Sequence, residues 1–255
     1  MMRSVVMLLP LLLAGIAHAE PSSDARVSGY HGLGDELRAL QDDDFANPGM
    51  LWVDRGLRAW ETPAGAEGRS CRDCHGNPES LRGLAARLPR WNAEMERLED
   101  LDGLLRSCIS ERQRAAPPEF ESDALLALAT LVAHQSRGLP LAVDVDGPAR
   151  AAFEAGRASF QRRRGQLDLS CADCHDRYAG ARLRGETISA GMINGFPLYR
   201  LTWETLGSRQ RMIRWCNQAV RAEPFEPDSA DALALELYLA WRARGLALES
   251  PAIRR

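Results

Sequence analysis

The stretches that decide the fold are two copies of one pattern, CRDCH at residues 71–75 and CADCH at residues 171–175. In a Cys-x-x-Cys-His motif both thiols add across the vinyl groups of a haem, and the adjacent histidine ligates the haem iron. One such motif is also compatible with a redox dithiol, but two copies in one chain favour haem attachment. We therefore predict two covalently bound haem c groups. The predicted attachment residues and proximal ligands are Cys71, Cys74, His75, Cys171, Cys174 and His175.

The segments around the two motifs match one another as well. RGLRAW at residues 55–60 precedes the first motif as AGRASF at residues 155–160 precedes the second. Downstream, LRSC at residues 105–108 corresponds to IRWC at residues 213–216. Each of these cysteines is followed by an Arg-Ala-x-Pro stretch, an acidic run and an apolar segment. Because self-similarity over this length is typical of repeated units, the sequence predicts an internal duplication.

The apolar segment that closes each copy has the composition and spacing of a helix. Residues 123–133 and 231–241 are rich in strong helix formers, with apolar residues spaced by about 3.6 positions. Ser122 and Ser229 or Asp231 are suited to cap the N-termini, and a glycine follows each C-terminus. We predict an all-α fold with two tandem cytochrome c-like domains. The predicted parts are a signal peptide at 1–19, an N-terminal extension at 20–43, a first domain at 44–147 and a second domain, with the active site, at 148–255.

The N-terminus has the pattern of a secretory signal. A basic residue, Arg3, precedes an apolar run at residues 5–16 and a small-residue cleavage site, Ala17-His18-Ala19. The run is too short to span a bilayer, and no later stretch is long enough either. The sequence therefore predicts a periplasmic protein without a membrane span. A net charge of -3 gives no electrostatic reason to expect binding to nucleic acid or to a lipid surface.

Two cysteines, Cys108 and Cys216, lie outside the haem motifs at matching positions of the two copies. They precede the last helix of each copy, where a distal haem ligand is expected. The available methionines, Met95, Met192 and Met212, have no counterparts in the opposite copy. We therefore predict that each haem iron has one histidine and one cysteine ligand, which lowers its potential relative to a His/Met haem. The alternative is a disulfide between the two cysteines, which is common in exported proteins.

A further set of segments carries a resemblance to a known family. GFPLYR at residues 195–200 leads to RWCN at 214–217 and RAEP at 221–224. With these segments the chain resembles SoxA, the larger subunit of the SoxAX cytochrome of sulfur oxidation, over most of its mature length. Because the first haem motif is intact, it looks like the dihaem type of that family.

The resemblance implies an enzymatic function. SoxA is an L-cysteine S-thiosulfotransferase that conjugates thiosulfate to a cysteine of the SoxYZ carrier, with electrons leaving through haem. It implies a heterodimer with a SoxX-like monohaem cytochrome and a downstream acceptor cytochrome. The family's active-site cysteine, seen as a persulfide, is also the distal ligand of the second haem, and it corresponds to Cys216.

Arginines crowd the segment around Cys216, and guanidinium groups suit a dianionic substrate because they bind oxyanions through two hydrogen bonds. We predict catalytic roles for Arg211 and Arg214. Each could instead be a solvated surface charge or a partner of a haem propionate. The family pattern carries two consecutive basic residues before the cysteine, whereas here Arg211 is followed by Met212.

Two other classes of function remain open from the residues alone. A periplasmic dihaem cytochrome that only transfers electrons would explain both haem motifs and the signal peptide. It would not explain a cysteine at both distal positions. A dihaem peroxidase needs an acid/base residue beside an open iron site. The unassigned histidines of the mature chain are His31 and His134, and the latter lies in a predicted helix.

Overall fold

The computed structural model describes residues 26–183 and 186–255, so the predicted signal peptide lies outside the described residues. Within them the chain forms eight α-helices and seven short strands. None of these helices is long and apolar enough to cross a membrane. The helices are α1 (Asp35–Asp42), α2 (Met50–Glu61), α3 (Cys71–His75), α4 (Leu101–Arg112), α5 (Asp123–His134), α6 (Arg150–Gln161), α7 (Arg209–Ala219) and α8 (Ala230–Arg242). The strands are β1 (Arg90–Asn92), β2 (Arg97–Glu99), β3 (Arg182–Leu183), β4 (Glu186–Thr187), β5 (Leu198–Arg200), β6 (Thr205–Gly207) and β7 (Ala252–Arg254).

The strands correct the prediction of an all-α fold, which is wrong in this respect. β1 and β2 form one hairpin, β3 and β4 a second, and β5 lies between β6 and β7. β5 pairs antiparallel with β6 and parallel with β7, so that Tyr199 lies opposite both Leu206 and Ile253. Each strand has only two or three residues, which is too short for an alternating apolar pattern to be visible in the sequence. Their pairing is decided by tertiary contacts.

Two helix pairs repeat the same close packing in the two halves of the chain, residues 44–147 and 148–255. In the first half α2 packs on α5, and in the second α6 packs on α8. Both contacts depend on a glycine: a Cβ atom at Gly56 would lie 2.3 Å from the carbonyl oxygen of Ala127, and one at Gly156 would lie 2.0 Å from that of Ala234. A carbonyl oxygen of the backbone cannot move aside easily, so a side chain at either glycine would push the helices apart.

The predicted N-termini of the last helix in each half are confirmed, whereas the C-termini lie at His134 and Arg242, before the glycines expected to follow them directly. The backbone N–H of Leu125 donates to Ser122 Oγ at the start of α5, and that of Ala232 donates to Ser229 Oγ at the start of α8. These bonds satisfy N–H groups that the first turn of a helix leaves unpaired.

The segment that joins the two halves, residues 139–148, contacts both of them. The N–H of Leu141 donates to the carbonyl of Leu246, and the N–H of Leu248 donates to that of Leu139. Leu141 is buried, and one hydrophobic cluster contains residues of both halves. The two haem-motif regions are therefore held on a shared core.

The end of the N-terminal extension and the residues just after it, whose structure the sequence did not predict, pack against the C-terminal strand. The N–H of Ile253 donates to Gln41 Oε1 at 2.9 Å, and Asn47 Nδ2 donates to the carbonyl of Pro251 at 2.9 Å. Gln41 and Asn47 are both buried. The extension therefore holds β7 beside β5, the strand that leads into the region of Cys216.

Candidate functional site

The first haem motif is fixed by a capping box at the start of α3. Ser70 donates through its N–H and its Oγ–H to Asp73 Oδ2, at 2.7 and 2.9 Å, and the Asp73 N–H donates back to Ser70 Oγ. These hydrogen bonds hold the pKa of Asp73 below its usual value. The result is one rigid helical turn that carries Cys71, Cys74 and His75.

The second motif begins with the same arrangement. Ser170 donates twice to Asp173 Oδ2, at 2.9 Å in each case, and the Asp173 N–H donates to Ser170 Oγ at 3.1 Å. The turn then continues as a wider π-helical segment, Asp173–Arg177. A serine directly before each motif and an aspartate three residues later form a signal that sequence reasoning missed.

The two motif histidines differ in their surroundings. His175 Nδ1 lies 2.8 Å from the carbonyl oxygen of Ser189. Because a carbonyl can only accept, Nδ1 donates and Nε2 keeps its lone pair for a metal. Burial lowers the pKa of His175. His75 is exposed, and its ring lies 5.7 Å from that of Trp60.

Different side chains donate hydrogen bonds to the segments that directly follow the two motif histidines. In the first half, Trp60 Nε1 donates to the carbonyl of Gly76 at 2.9 Å. In the second half the matching aromatic residue is Phe160, which has no polar atom, and Arg242 packs over its ring at 4.4 Å. Arg242 is 2% exposed and donates to Asp176 Oδ1 at 2.6 Å. A buried guanidinium therefore takes the hydrogen-bonding role that the indole has in the first half.

Each distal cysteine lies beside the motif of its own half. All six cysteines, which fall within the described residues, are free, so Cys108 and Cys216 do not form a disulfide. Burial and, secondarily, the nearby Cys108 raise the pKa of Cys71 to about 11. Burial and, secondarily, Cys171 raise the pKa of Cys216 to about 12. Cys108 therefore lies near Cys71, and Cys216 lies near Cys171.

This donor set fits haem c. Two thiols on one helical turn match the vinyl groups, the adjacent imidazole offers Nε2, and a further thiol lies near the motif cysteines. In the first half the iron would be held by His75 and Cys108, and in the second by His175 and Cys216.

The predicted arginines are spread over different surroundings. Arg211 Nη1 donates to the carbonyl of Leu206 at 3.0 Å and lies 3.9 Å from a carboxylate oxygen of Glu121. Arg214 is exposed. Arg209, which lies in the same crowded segment, donates a hydrogen bond from Nη1 to Oε1 of the buried Glu236 at 3.1 Å.

Arg200 is the arginine that sequence reasoning missed. It is 5% exposed, and its positive charge opposes the rise in the pKa of Cys216 that burial causes. It lies at the end of β5, on a different element from Cys216, so no local spacing connects the two residues.

A buried carboxyl cluster lies between the halves, at the N-termini of α4 and α7. It contains Asp100, Asp102 and Glu236, with Arg209 as the neighbouring cation. Burial and, secondarily, Asp100 raise the pKa of Glu236 to about 8. Burial also raises the pKa of Asp102 well above its usual value. No sequence pattern predicted that these groups lie together.

Comparison with known proteins identifies the family. Residues 55–141 match the family model for the cytochrome c domain of SoxA/TsdA. The L-cysteine S-thiosulfotransferase subunit SoxA of Paracoccus pantotrophus is 40% identical over 91% of this chain and 80% of its own length. This chain belongs to the SoxA family. The SoxA of Rhodovulum sulfidophilum is 37% identical over 93% of this chain and 83% of its own length.

A solved structure extends this relationship to the fold. The crystal structure of SoxXA from P. pantotrophus matches with a TM-score of 0.87 at 40% identity, covering 89% of this chain and 86% of that chain. The predicted family and the prediction of covalently bound haem c are confirmed, since the matching domain is a cytochrome c domain. The cytochrome c-like fold is confirmed together with the added strands described above.

Proposed function

We propose that this chain is the catalytic subunit of a periplasmic L-cysteine S-thiosulfotransferase that conjugates thiosulfate to a cysteine of the SoxYZ carrier. The observation that carries the proposal is the position of Cys216, a half-buried thiol near the motif cysteine Cys171 and near the positive charge of Arg200. In the overall reaction a carrier thiolate and thiosulfate form one S–S bond, giving the carrier S–S–SO3⁻ group and two electrons.

The reaction divides into two balanced steps at Cys216. First, the Cys216 thiolate bonds to the outer sulfur of thiosulfate, and two electrons leave. Second, the carrier thiolate attacks that sulfur and takes it with its SO3⁻ group, and the Cys216 thiolate is the leaving group. Haem c supplies an electron acceptor beside the sulfur when it is bound. Arg211 and Arg214 provide positive charge on the approach for two anionic reactants.

We further propose that the chain binds two haem c groups, one in each of two duplicated domains at residues 44–147 and 148–255. The two capping boxes and the two glycine-dependent helix contacts support the duplication. A pyridine haemochrome assay should give two haems per chain. A single haem per chain would contradict the proposal.

The proposed partner is a SoxX-like monohaem cytochrome c, which passes electrons to a downstream acceptor cytochrome. The support is the similarity to a chain in the crystal structure of SoxXA. The predicted signal peptide supports a periplasmic location. Isolation of a fully active monomer from the native host would argue against the partner, and activity confined to the cytoplasmic fraction would argue against the location.

The decisive test of the proposed function compares Cys216→Met with Cys108→Met. Methionine can ligate iron but cannot form a bond to an incoming sulfur and release it as a thiolate. We expect the first variant to keep a six-coordinate second haem and to lose conjugation by orders of magnitude, while the second keeps most turnover. Near wild-type conjugation by Cys216→Met would exclude a sulfur intermediate on Cys216.

A further inference from the structure

A stack of alternating guanidinium and indole groups lies beside Cys216. The Arg200 Cζ atom lies 4.4 Å from the ring centroid of Trp215 and 5.1 Å from that of Trp203. Arg211 covers Trp203 in turn, with its Cζ atom 4.4 Å from the ring centroid. Trp215 directly precedes Cys216 and is 43% exposed. The stack therefore extends from the interior to the surface along the helix that carries the cysteine.

One nitrogen of the Arg200 guanidinium group, Nη1, has only a weak hydrogen-bond acceptor beside it. Nε donates to the main-chain oxygen of Arg255 at 2.7 Å, and Nη2 donates to the carboxylate of Glu186 at 3.2 Å. Nη1 meets only the sulfur of Met212, at 3.7 Å. A thioether is a weak acceptor, so Nη1 keeps most of its capacity to donate to an anion.

The same contact places Nη1 on the face of α7 that carries Cys216. Met212 and Cys216 are four residues apart on one helix, and residues at this spacing are neighbours on the helix surface. The packing of Arg200 on Trp215 fixes the guanidinium group from a second side.

The first half has the same hairpin and helix without this stack. The hairpin register places Asn92 at the end of β1, where Arg200 ends β5. Met95 stands in the hairpin turn where Trp203 stands in the second half, and Ser107 precedes Cys108 as Trp215 precedes Cys216. The scaffold therefore forms without an arginine at this position, and the guanidinium group is a feature of the Cys216 site.

We propose that Arg200 binds the sulfonate oxygens of thiosulfate and thereby directs the outer sulfur of the anion onto Cys216. A guanidinium group held between aromatic rings is restrained and partly desolvated, which strengthens its hydrogen bonds to an oxyanion. The inference rests on the proposed function and names the residue that recognises its substrate.

The test uses Arg200→Gln and Arg200→Lys in the haem-loaded complex. Arg200→Gln should raise the KM for thiosulfate by about 10- to 100-fold, which is the loss expected for a hydrogen bond to a charged group. The KM for the carrier should stay unchanged. Inorganic sulfate, which has the oxygens but no outer sulfur, should inhibit the wild type competitively and inhibit Arg200→Gln correspondingly less. Arg200→Lys keeps the charge but not the paired N–H donors of a guanidinium group. Its KM for thiosulfate should lie between those of the wild type and Arg200→Gln.

The matched control is Arg106→Gln, which removes an arginine packed on Phe120 at 4.2 Å, two residues before Cys108. It should leave the KM for thiosulfate unchanged. A folded Arg200→Gln variant with the wild-type KM, or an equal rise of the KM for both substrates, would overturn the inference. If that variant does not fold, Arg200→Lys decides: a raised thiosulfate KM supports the inference and an unchanged one overturns it. Either result leaves the proposed function standing, because that function depends on the Cys216→Met comparison.

Discussion

The centre at Cys108 and the centre at Cys216 are built on matching scaffolds but lie in different surroundings. In both halves a serine and an aspartate cap the motif helix, and a glycine allows two helices to touch. Around Cys108 the motif histidine is exposed, and Asn92 is the last residue of the first strand of the hairpin. Around Cys216 the motif histidine is half-buried and hydrogen-bonded, and Arg200 is the last residue of the first strand of the hairpin.

The difference separates residues that form the scaffold from residues that serve the chemistry. Positions that set helix ends and helix contacts are alike in the two halves. Positions that face the cysteine from outside its own motif differ, and the second half has the cationic and aromatic groups. A site that binds an anion needs such groups, whereas a haem that only relays electrons does not. The comparison therefore supports the proposal that the second half carries the sulfur chemistry.

The largest expected effect is on the haem potentials. Cys108→Met should raise the potential of the first haem, and Cys216→Met that of the second, each by on the order of 100 mV or more, because a neutral thioether replaces an electron-donating thiolate. Redox titration followed by absorption spectroscopy measures both haems in each variant. If Cys108→Met leaves the first potential unshifted, Cys108 is not a ligand, and the two halves differ in their iron coordination as well.

The next effect tests whether the scaffolds are equivalent. Gly56→Ala and Gly156→Ala should each lower the free energy of unfolding by about 1–3 kcal/mol, because the added methyl group meets a backbone carbonyl. Chemical denaturation of the haem-loaded protein measures the change. Gly32→Ala is the control, since a Cβ there meets nothing within 4 Å. If only one of the two substitutions lowered the free energy of unfolding, the two helix contacts would not be equivalent.

The buried carboxyl cluster provides a pH-dependent difference between the last helices. Glu236 lies on α8, where α5 has the buried Ala129. Because burial raises the pKa of Glu236 to about 8, the folded state holds its proton more tightly than the unfolded state does. The contribution of protonated Glu236 to the free energy of unfolding is therefore fully present below the ordinary carboxyl pKa. It is lost as the pH rises towards 8.

Glu236→Gln should reduce this loss, since the amide keeps an acceptor for Arg209 without titrating. Thermal unfolding midpoints between pH 5 and pH 9 measure the effect, and Glu226→Gln, at an exposed position, is the control. The groups facing Glu236 are Asp100, Asp102 and Arg209, so part of the pH dependence will remain. An unchanged slope in Glu236→Gln would show that Glu236 is already ionised in the folded protein.

The smallest expected effect is at the capping boxes. Ser70→Ala and Ser170→Ala should each cost about 1 kcal/mol, the usual contribution of a helix cap, and Ser→Thr at either position should restore most of it. The free energy of unfolding again measures the change. A cost at Ser70 without one at Ser170 would indicate that the wider turn of the second motif does not depend on its cap.

The parts of the fold that the sequence predicts are those decided by neighbouring residues. The caps at Ser122 and Ser229 were predictable because a cap bonds an N–H group only three residues away. The matching positions of Gly56 and Gly156 were predictable because a repeat can be read directly from the residues. The strands were not, because segments of two or three residues carry no periodic signal and are formed by their partners.

The candidate site was predictable only along α7. Cys216 could be found from its match with Cys108, and the nearby arginines from their closeness in sequence. Arg200 could not, because it reaches Cys216 through the hairpin and its contact with Met212. The usable signal was the alignment of the two hairpins, in which an arginine replaces Asn92.

The most direct test of the central claim, that Cys216 alone carries the sulfur, is peptide mass spectrometry. The oxidised protein is treated with thiosulfate in the absence of carrier and digested with trypsin under non-reducing conditions. Cys108 and Cys216 then lie on separate short peptides, residues 107–112 and 215–221. We predict a gain of at least one sulfur atom, about 32 Da, on the Cys216 peptide and no gain on the Cys108 peptide. Added sulfur on the Cys108 peptide, or none on the Cys216 peptide while the protein is active, would contradict the claim.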